Sequence, residues 1–335
     1  MKDYKRILII YTAFFGDIIL ATALLRETRK LFPNAMIDFV TTPATYDLVR
    51  NNPHINEIML FDKHNHKLRN FFGLLPKLIF KRYELALSPH SHFTTNFLMF
   101  FSFIPHRLGF DRYRSRFLLN MKVDYPKSGH VSARILHLLS LLTDEKLDNQ
   151  TELFLSEADE KSVMPYLEND KKPVLIAPGS VWATKRWHKD SFGSLSKLLE
   201  TKGFRLIFIG SNQDKTLAAE IIKTAGLRAE NSCGDLKITE SAALIKNAKL
   251  LICNDSAPLH LANAVNTPVY AFFGPTVKRF GYYPYRENDR ILEIELDCRP
   301  CGMHGSHKCP LGHHNCMNLI KPETVFKLIC EHFQD

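Results

Sequence analysis

Short apolar runs rich in β-branched residues alternate with amphipathic stretches along this chain. Residues 6–11 (RILIIY), 35–41 (AMIDFVT), 58–61 and 85–88 read as strands, with helices expected over 18–31 and 44–52. Around residues 155–172 the composition changes to a polar, helical and then charged stretch that reads as a linker. The alternation then restarts: strands are expected at 173–177, 205–210, 249–254 (KLLICN) and 268–273 (PVYAFF), and helices at 191–201, 217–225, 241–247 and 256–265. Strand–helix alternation of this kind predicts βαβ units and mostly parallel sheets. The expected fold class is α/β: two doubly wound domains, 1–165 and 166–335, with an inter-domain cleft and ligands at the carboxyl ends of the strands. No low-complexity tract is visible, nor any repeat with a period of about 20–50 residues.

Length agrees with this division, since 335 residues suit two domains with a core each. With 45% hydrophobic and 24% charged residues the chain is neither disordered, collagenous nor a coiled coil as a whole. The apolar runs at 97–101 and 138–142 are far too short to span a bilayer. The first six residues, MKDYKR, run straight into a strand and lack the apolar core of a signal peptide, so a cytoplasmic protein is expected.

Charge is unevenly distributed. Residues 63–122 hold eleven Lys and Arg against Glu84 and Asp111, an excess equal to the +9 of the whole chain, together with ten of the 24 Phe. Such a surface suits polyanions or an anionic membrane face; it also suits a solvated rim around a Phe-rich core.

Three loops after strands could carry chemistry. The first, Tyr11 to Asp17, is not G-x-G-x-x-G. Its Gly16 permits a tight turn and its Asp17 is either a general base or a helix-start residue favoured by the dipole. The second, Ala177 to Trp187, offers glycine and hydroxyls to an anion, with Lys185 and Arg186 as cations; both Trp residues of the chain lie in it. They could equally anchor the loop on the core. In the third, Asn254 to His260, Ser256 is a plausible N-cap, Pro258 falls in the first turn, and the free N–H groups suit an anion. Asp255 there would repel phosphate and suits sugar hydroxyls, and Gly274-Pro275-Thr276 would line the same edge. Finally, Cys298-x2-Cys301-x7-Cys309-x6-Cys316, with His304, His307, His313 and His314 interleaved, fits a zinc or iron–sulfur site or a loop of reduced thiols. Cys233, Cys253 and Cys330 read as ordinary buried cysteines.

Taken together, RILIIYTAFFGDIILATALL, IAPGSVWATKRWHKDSF and NDSAPLHLANAVNTPVYAFFGPT resemble the ADP-heptose:lipopolysaccharide heptosyltransferases, glycosyltransferase family 9, over about residues 6–320. The tail CRPC…CPLGHHNCM resembles the heptosyltransferase II branch, which adds the second inner-core heptose. The resemblance implies a GT-B fold of two Rossmann-like domains, the N-terminal one for the acceptor and the C-terminal one for the nucleotide sugar. It implies inverting transfer from ADP-L-glycero-β-D-manno-heptose to Kdo-lipid A or inner-core lipopolysaccharide, with no cofactor required.

The resemblance also carries over site residues. Asp17 would be the general base, with Gly16 beside it; Lys185 would meet the donor phosphates, flanked by Ser180 and Thr184. Asp255 would hold heptose hydroxyls, and the helix start at Ser256, Ala257, Leu259 and His260 would receive the diphosphate. Asn212 lies in the loop expected to meet the ribose. Arg107, Arg112, Arg114 and Arg116 would grip acceptor anions at the cytoplasmic face of the inner membrane, with nearby Phe residues dipping into the interface. The rivals are a family member using another sugar, a nucleotide-sugar epimerase of the same fold, and a polyanion-binding module. No nucleic-acid motif supports the last.

Overall fold

The computed structural model describes residues 3–90, 92–112, 114–168 and 171–333; Met1, Lys2 and two residues of the polar stretch, Asn169 and Asp170, lie outside it. The chain divides into two units, Met1–Phe154 and Leu155–Asp335. The expected boundary at 165/166 therefore moves to 154/155. The reason is the short helix Glu157–Ser162, opened by a Ser156–Asp159 capping box. It docks inside the second unit, where Thr239 donates to Asp159 (2.7 Å) and Lys246 pairs with Glu160 (2.7 Å).

The first unit is built on one parallel sheet of β1 (Arg6–Ile10), β2 (Met36–Thr41), β3 (Glu57–Leu60), β4 (Leu85–Ser88), β5 (His106–Phe110) and β6 (Met121–Val123). The strand order is β3-β2-β1-β4-β5-β6. In β1 the residues Ile7, Leu8, Ile9 and Ile10 are all buried, because helices cover both faces of a parallel sheet. Register pairs Ile9 with Phe39 on one side and with Leu87 on the other. Leu8 and Ile10 join Val40, Leu74, Leu78 and Leu98 in one core cluster.

The second unit repeats the plan with β7 (Val174–Ala177), β8 (Leu206–Phe208), β9 (Glu230–Asn231), β10 (Leu250–Asn254), β11 (Val269–Phe272) and β12 (Arg290–Leu292). Its order, β12-β11-β10-β7-β8-β9, is that of the first sheet once the strands are renumbered from β7. The order reverses beside β1 and beside β7, which makes the carboxyl edge there the expected ligand crevice in each unit. Trp187, 2% exposed, stacks on Phe272 with ring centroids 4.1 Å apart.

The expected α/β fold is present, with several differences of detail. The helix expected over 18–31 is two helices, Phe15–Leu20 and Thr22–Leu31, meeting at Ala21. The segment expected as helix 44–52 is the 3-10 stretch Pro43–Leu48. Helices Lys67–Lys81, Phe93–Phe101 and Pro322–His332 were not expected. The first of these contains Gly73 and Pro76, which read as breaker signals. Cys233 and Cys253 are buried as expected; Cys330 is only half-buried.

Candidate functional site

In the second unit two loops and a helix start converge at the carboxyl edge of β7, β10 and β11. Asn254, fully buried at the end of β10, joins them. Its side-chain oxygen accepts from the Trp187 backbone N–H (2.9 Å), and its amide donates to the carbonyls of Pro178 (2.9 Å) and Gly179 (3.2 Å). One side chain thus pins both ends of the loop that carries Lys185. From that loop Lys185 Nζ reaches Asp255 Oδ2 at 2.6 Å, both side chains being largely buried. Thr276 Oγ1 donates to the same oxygen at 2.7 Å. An ammonium has three donors, so this pair leaves two for a ligand.

Immediately after Asp255 comes the helix Ala257–Ala264. Ser256 occupies the N-cap position, but its hydroxyl turns back to the Asn254 carbonyl (3.2 Å) and makes no capping bond. The first-turn N–H groups therefore keep their affinity for an anion. Leu259 is core, so only its backbone can take part. His260 is buried, and its Nδ1 has no hydrogen-bond partner. Burial lowers its pKa to about 4, with Asp255 opposing the shift and Lys185 reinforcing it. Stability should respond to this. Below pH 6.5 the unfolded chain takes up the proton that folded His260 refuses until about pH 4, so stability falls with pH across that window, by about 3 kcal/mol. Urea midpoints between pH 7 and 4.5 should drop for the wild type and drop less in His260→Leu, where half-buried His90 still contributes; equal slopes would remove His260 as a cause.

The other donor candidates divide. Ser180 is half-buried in the same loop, and its carbonyl accepts from Arg186 Nε (2.8 Å), so Arg186 braces the loop. Asn212 is exposed in a 3-10 turn after β8, beside Gly234. Thr184, expected beside the phosphates, precedes Lys185 in the 3-10 turn Ala183–Lys185. It is buried, and its polar atoms are taken by residues 306 and 314 of the tail.

In the first unit, Asp17 lies in the first turn of the helix Phe15–Leu20, just beyond β1 and next to Gly16. Sequence reasoning missed its surroundings. Lys63, after β3, donates to the Thr12 carbonyl (2.6 Å); burial lowers its pKa while Asp17 pulls it up. Ala13, Phe14, Thr42, Thr45, Asp62 and Lys63 line a cavity of about 350 Å³. Beyond β4 the rings of His90 and His92 lie 3.8 Å apart. Burial lowers the His90 pKa to about 4, helped by His92, Arg112 and Lys63. A neutral imidazole therefore stands among cations at this edge.

Of the four expected acceptor arginines, Arg107 is half-buried. Its guanidinium is bound to the carbonyls of Leu118 (2.7 Å) and Ile104 (2.6 Å), which ties down its own loop. Arg116 pairs with Asp111 (3.4 Å), Arg112 lies 3.9 Å over the Tyr125 ring, and Arg114 is exposed.

The four tail cysteines are free thiols, with Cys316 buried and Cys301 exposed. Among the described residues no three His, Cys, Asp or Glu side chains are placed to hold one metal ion.

The family model described as Glycosyltransferase family 9 (heptosyltransferase) matches residues 72–310. The chain is 25% identical to the lipooligosaccharide heptosyltransferase 2 of Campylobacter jejuni subsp. jejuni serotype O:6, covering 97% of this chain and 98% of that one. Its fold is that of the Escherichia coli ADP-heptose LPS heptosyltransferase II structure (TM-score 0.81, 23% identity, 98% of each chain). It also matches a family 9 glycosyltransferase from Veillonella parvula (TM-score 0.87, 22% identity, 98% and 97% covered).

Proposed function

The chain belongs to glycosyltransferase family 9, and on that premise we propose that it moves a heptose from ADP-L-glycero-β-D-manno-heptose to the inner core of lipopolysaccharide, adding the second heptose with inversion. The observation that carries this reading is the Lys185–Asp255–Thr276 constellation beside an uncapped helix start. A cation and free backbone N–H groups suit a diphosphate, while an adjoining carboxylate suits sugar hydroxyls.

In this mechanism Asp17 takes the proton from the acceptor hydroxyl as its oxygen attacks C1 of the heptose. The bond from C1 to the diphosphate oxygen breaks, and the departing ADP carries the electron pair. Lys185 and the N–H groups of the 257–264 helix start meet the charge that develops on the leaving group. Inversion requires the base on the face of C1 opposite the diphosphate. The acceptor carries phosphates and carboxylates, which the cations Lys63, Arg112 and Arg114 suit. The unpartnered His260 Nδ1 supports placing a polar ligand at the helix start.

The test is ADP release from ADP-heptose with Kdo₂-lipid A bearing no heptose, one heptose, or with no acceptor. Release only with the mono-heptosylated acceptor is expected. Release only with the heptose-free acceptor would assign the first heptose instead. Donor turnover without acceptor would favour an epimerase, and no release in any arm would overturn the donor.

An anionic bilayer surface is the proposed setting of the acceptor. No helix among the described residues is long and apolar enough to cross a membrane. The helix Lys67–Lys81 instead exposes Leu68, Phe72 and Phe80 among Lys67, Arg69 and Lys77, and Phe103 and Phe117 are exposed elsewhere in the same unit. Apolar side chains flanked by cations suit the interface. Sedimentation with anionic vesicles should decline as salt rises and decline further in Phe72→Ser/Phe80→Ser. Binding indifferent to both would remove the membrane from the proposal.

A further inference from the structure

Lys185 stands at the end of a single 3-10 turn, Ala183–Lys185, too short to hold a side chain in place by itself. What holds it comes from more than a hundred residues later. The Thr184 backbone N–H donates to the Ser306 carbonyl (3.0 Å), and the Thr184 hydroxyl donates to the same carbonyl (2.9 Å). The Ser306 N–H donates back to that hydroxyl (2.8 Å), and His314 Nε2 donates to the Thr184 carbonyl (2.7 Å). Every polar atom of Thr184 is therefore engaged by the tail.

Next to this clamp Gly305 is buried so closely that a Cβ there would stand 2.5 Å from Trp182 Cβ and 2.9 Å from Lys185 Cγ. The same tail grips the other half of the ion pair. Arg299 donates to the carbonyls of Gly274, Phe273 and Thr276, and the Cys301 N–H donates to the Pro275 carbonyl (3.1 Å). Thr276 is the residue that holds Asp255.

We infer that the 299–314 tail is a strap fixing the Lys185–Asp255 pair, and that Thr184 is a positioning residue acting through Lys185 by its hydroxyl bonds to Ser306, not a ligand of the donor. The inference rests on the reading of Lys185 as the diphosphate cation. Thr184→Val keeps the shape and removes the hydroxyl; Thr184→Ser restores it.

Turnover of ADP-heptose with the mono-heptosylated acceptor should fall on the order of 10²-fold in Thr184→Val, the scale of a misplacement of about 1 Å, and recover in Thr184→Ser. In a Lys185→Ala background Thr184→Val should cost nothing more. An equal cost in both backgrounds would make Thr184 merely structural and overturn the inference. A second readout needs no activity: reductive methylation of the Lys185 amine, followed by mass spectrometry, should speed up in Thr184→Val and not in Thr184→Ser. Unchanged labelling would also overturn the clamp. A wild type that labels as expected but releases no ADP would sink the functional reading and leave the clamp standing.

Discussion

Asp17→Asn is expected to lose roughly 10⁴-fold in kcat while binding ADP-heptose as the wild type does. The substitution keeps the size and shape of the side chain in the first turn of Phe15–Leu20 and removes its charge and its capacity to accept a proton. Without a base, the acceptor must attack as a neutral hydroxyl, and the loss falls on the chemical step. Donor affinity is the control, because the donor's proposed contacts all belong to the other unit. Rate should be measured with saturating acceptor, since removing the charge beside Lys63 can also change how anions bind there. Wild-type-like turnover would strike Asp17 from the mechanism.

Lys185→Ala should cost about 10²–10³-fold in kcat, the usual effect of losing one electrostatic donor to a developing charge. It also strands Asp255, 6% exposed, with Thr276 as its remaining side-chain donor, and breaking a buried pair in this way destabilises by about 3 kcal/mol. Rate and stability can be separated. Adding Asp255→Asn removes the unpaired charge and should return most of the stability, read as a urea midpoint at unchanged slope. It should not return the rate, because neither the cation nor the carboxylate that suits the heptose hydroxyls is then present. Recovery of both together would mean that Lys185→Ala acts through folding alone.

How much of this was legible in the sequence depends on range. The central strands β1, β2, β4, β7, β10 and β11 announce themselves, because a parallel sheet covered on both faces needs continuous apolar runs such as RILII and LLICN. The edges do not. β6, β9 and β12 are two or three residues long, and β5 reads HRLGF, with two polar residues and a glycine in five. The loops after central strands marked Asp17, Lys185 and Asp255 as candidates, but spacing alone left Asp17 undecided between a base and a helix-start residue. Lys63 and His90 were missed because their proximity to Asp17 and to Arg112 exists only once β2 and β3 are laid out on one side of β1 and β4 on the other. The bonds Thr184 makes were not legible either, because its partners, Ser306 and His314, are 122 and 130 residues away. The cysteine spacing drew the eye to thiols, while the contacts that matter in that tail are made by its backbone, Arg299 and His314.

The two units are each drawn from one uninterrupted stretch of chain, and neither sheet borrows a strand from the other. Even the last helix, Pro322–His332, packs on Lys189–Thr201 of its own half. On a ribosome the consequence is temporal. Everything the first sheet needs has been synthesised by residue 154, and at about 5–20 residues per second the remaining chain follows over roughly 10–40 s. The half that carries Asp17 and the exposed phenylalanines can thus mature as a nascent domain while the donor half is still being translated, and each half can be recombined or truncated at residue 154 without cutting a sheet.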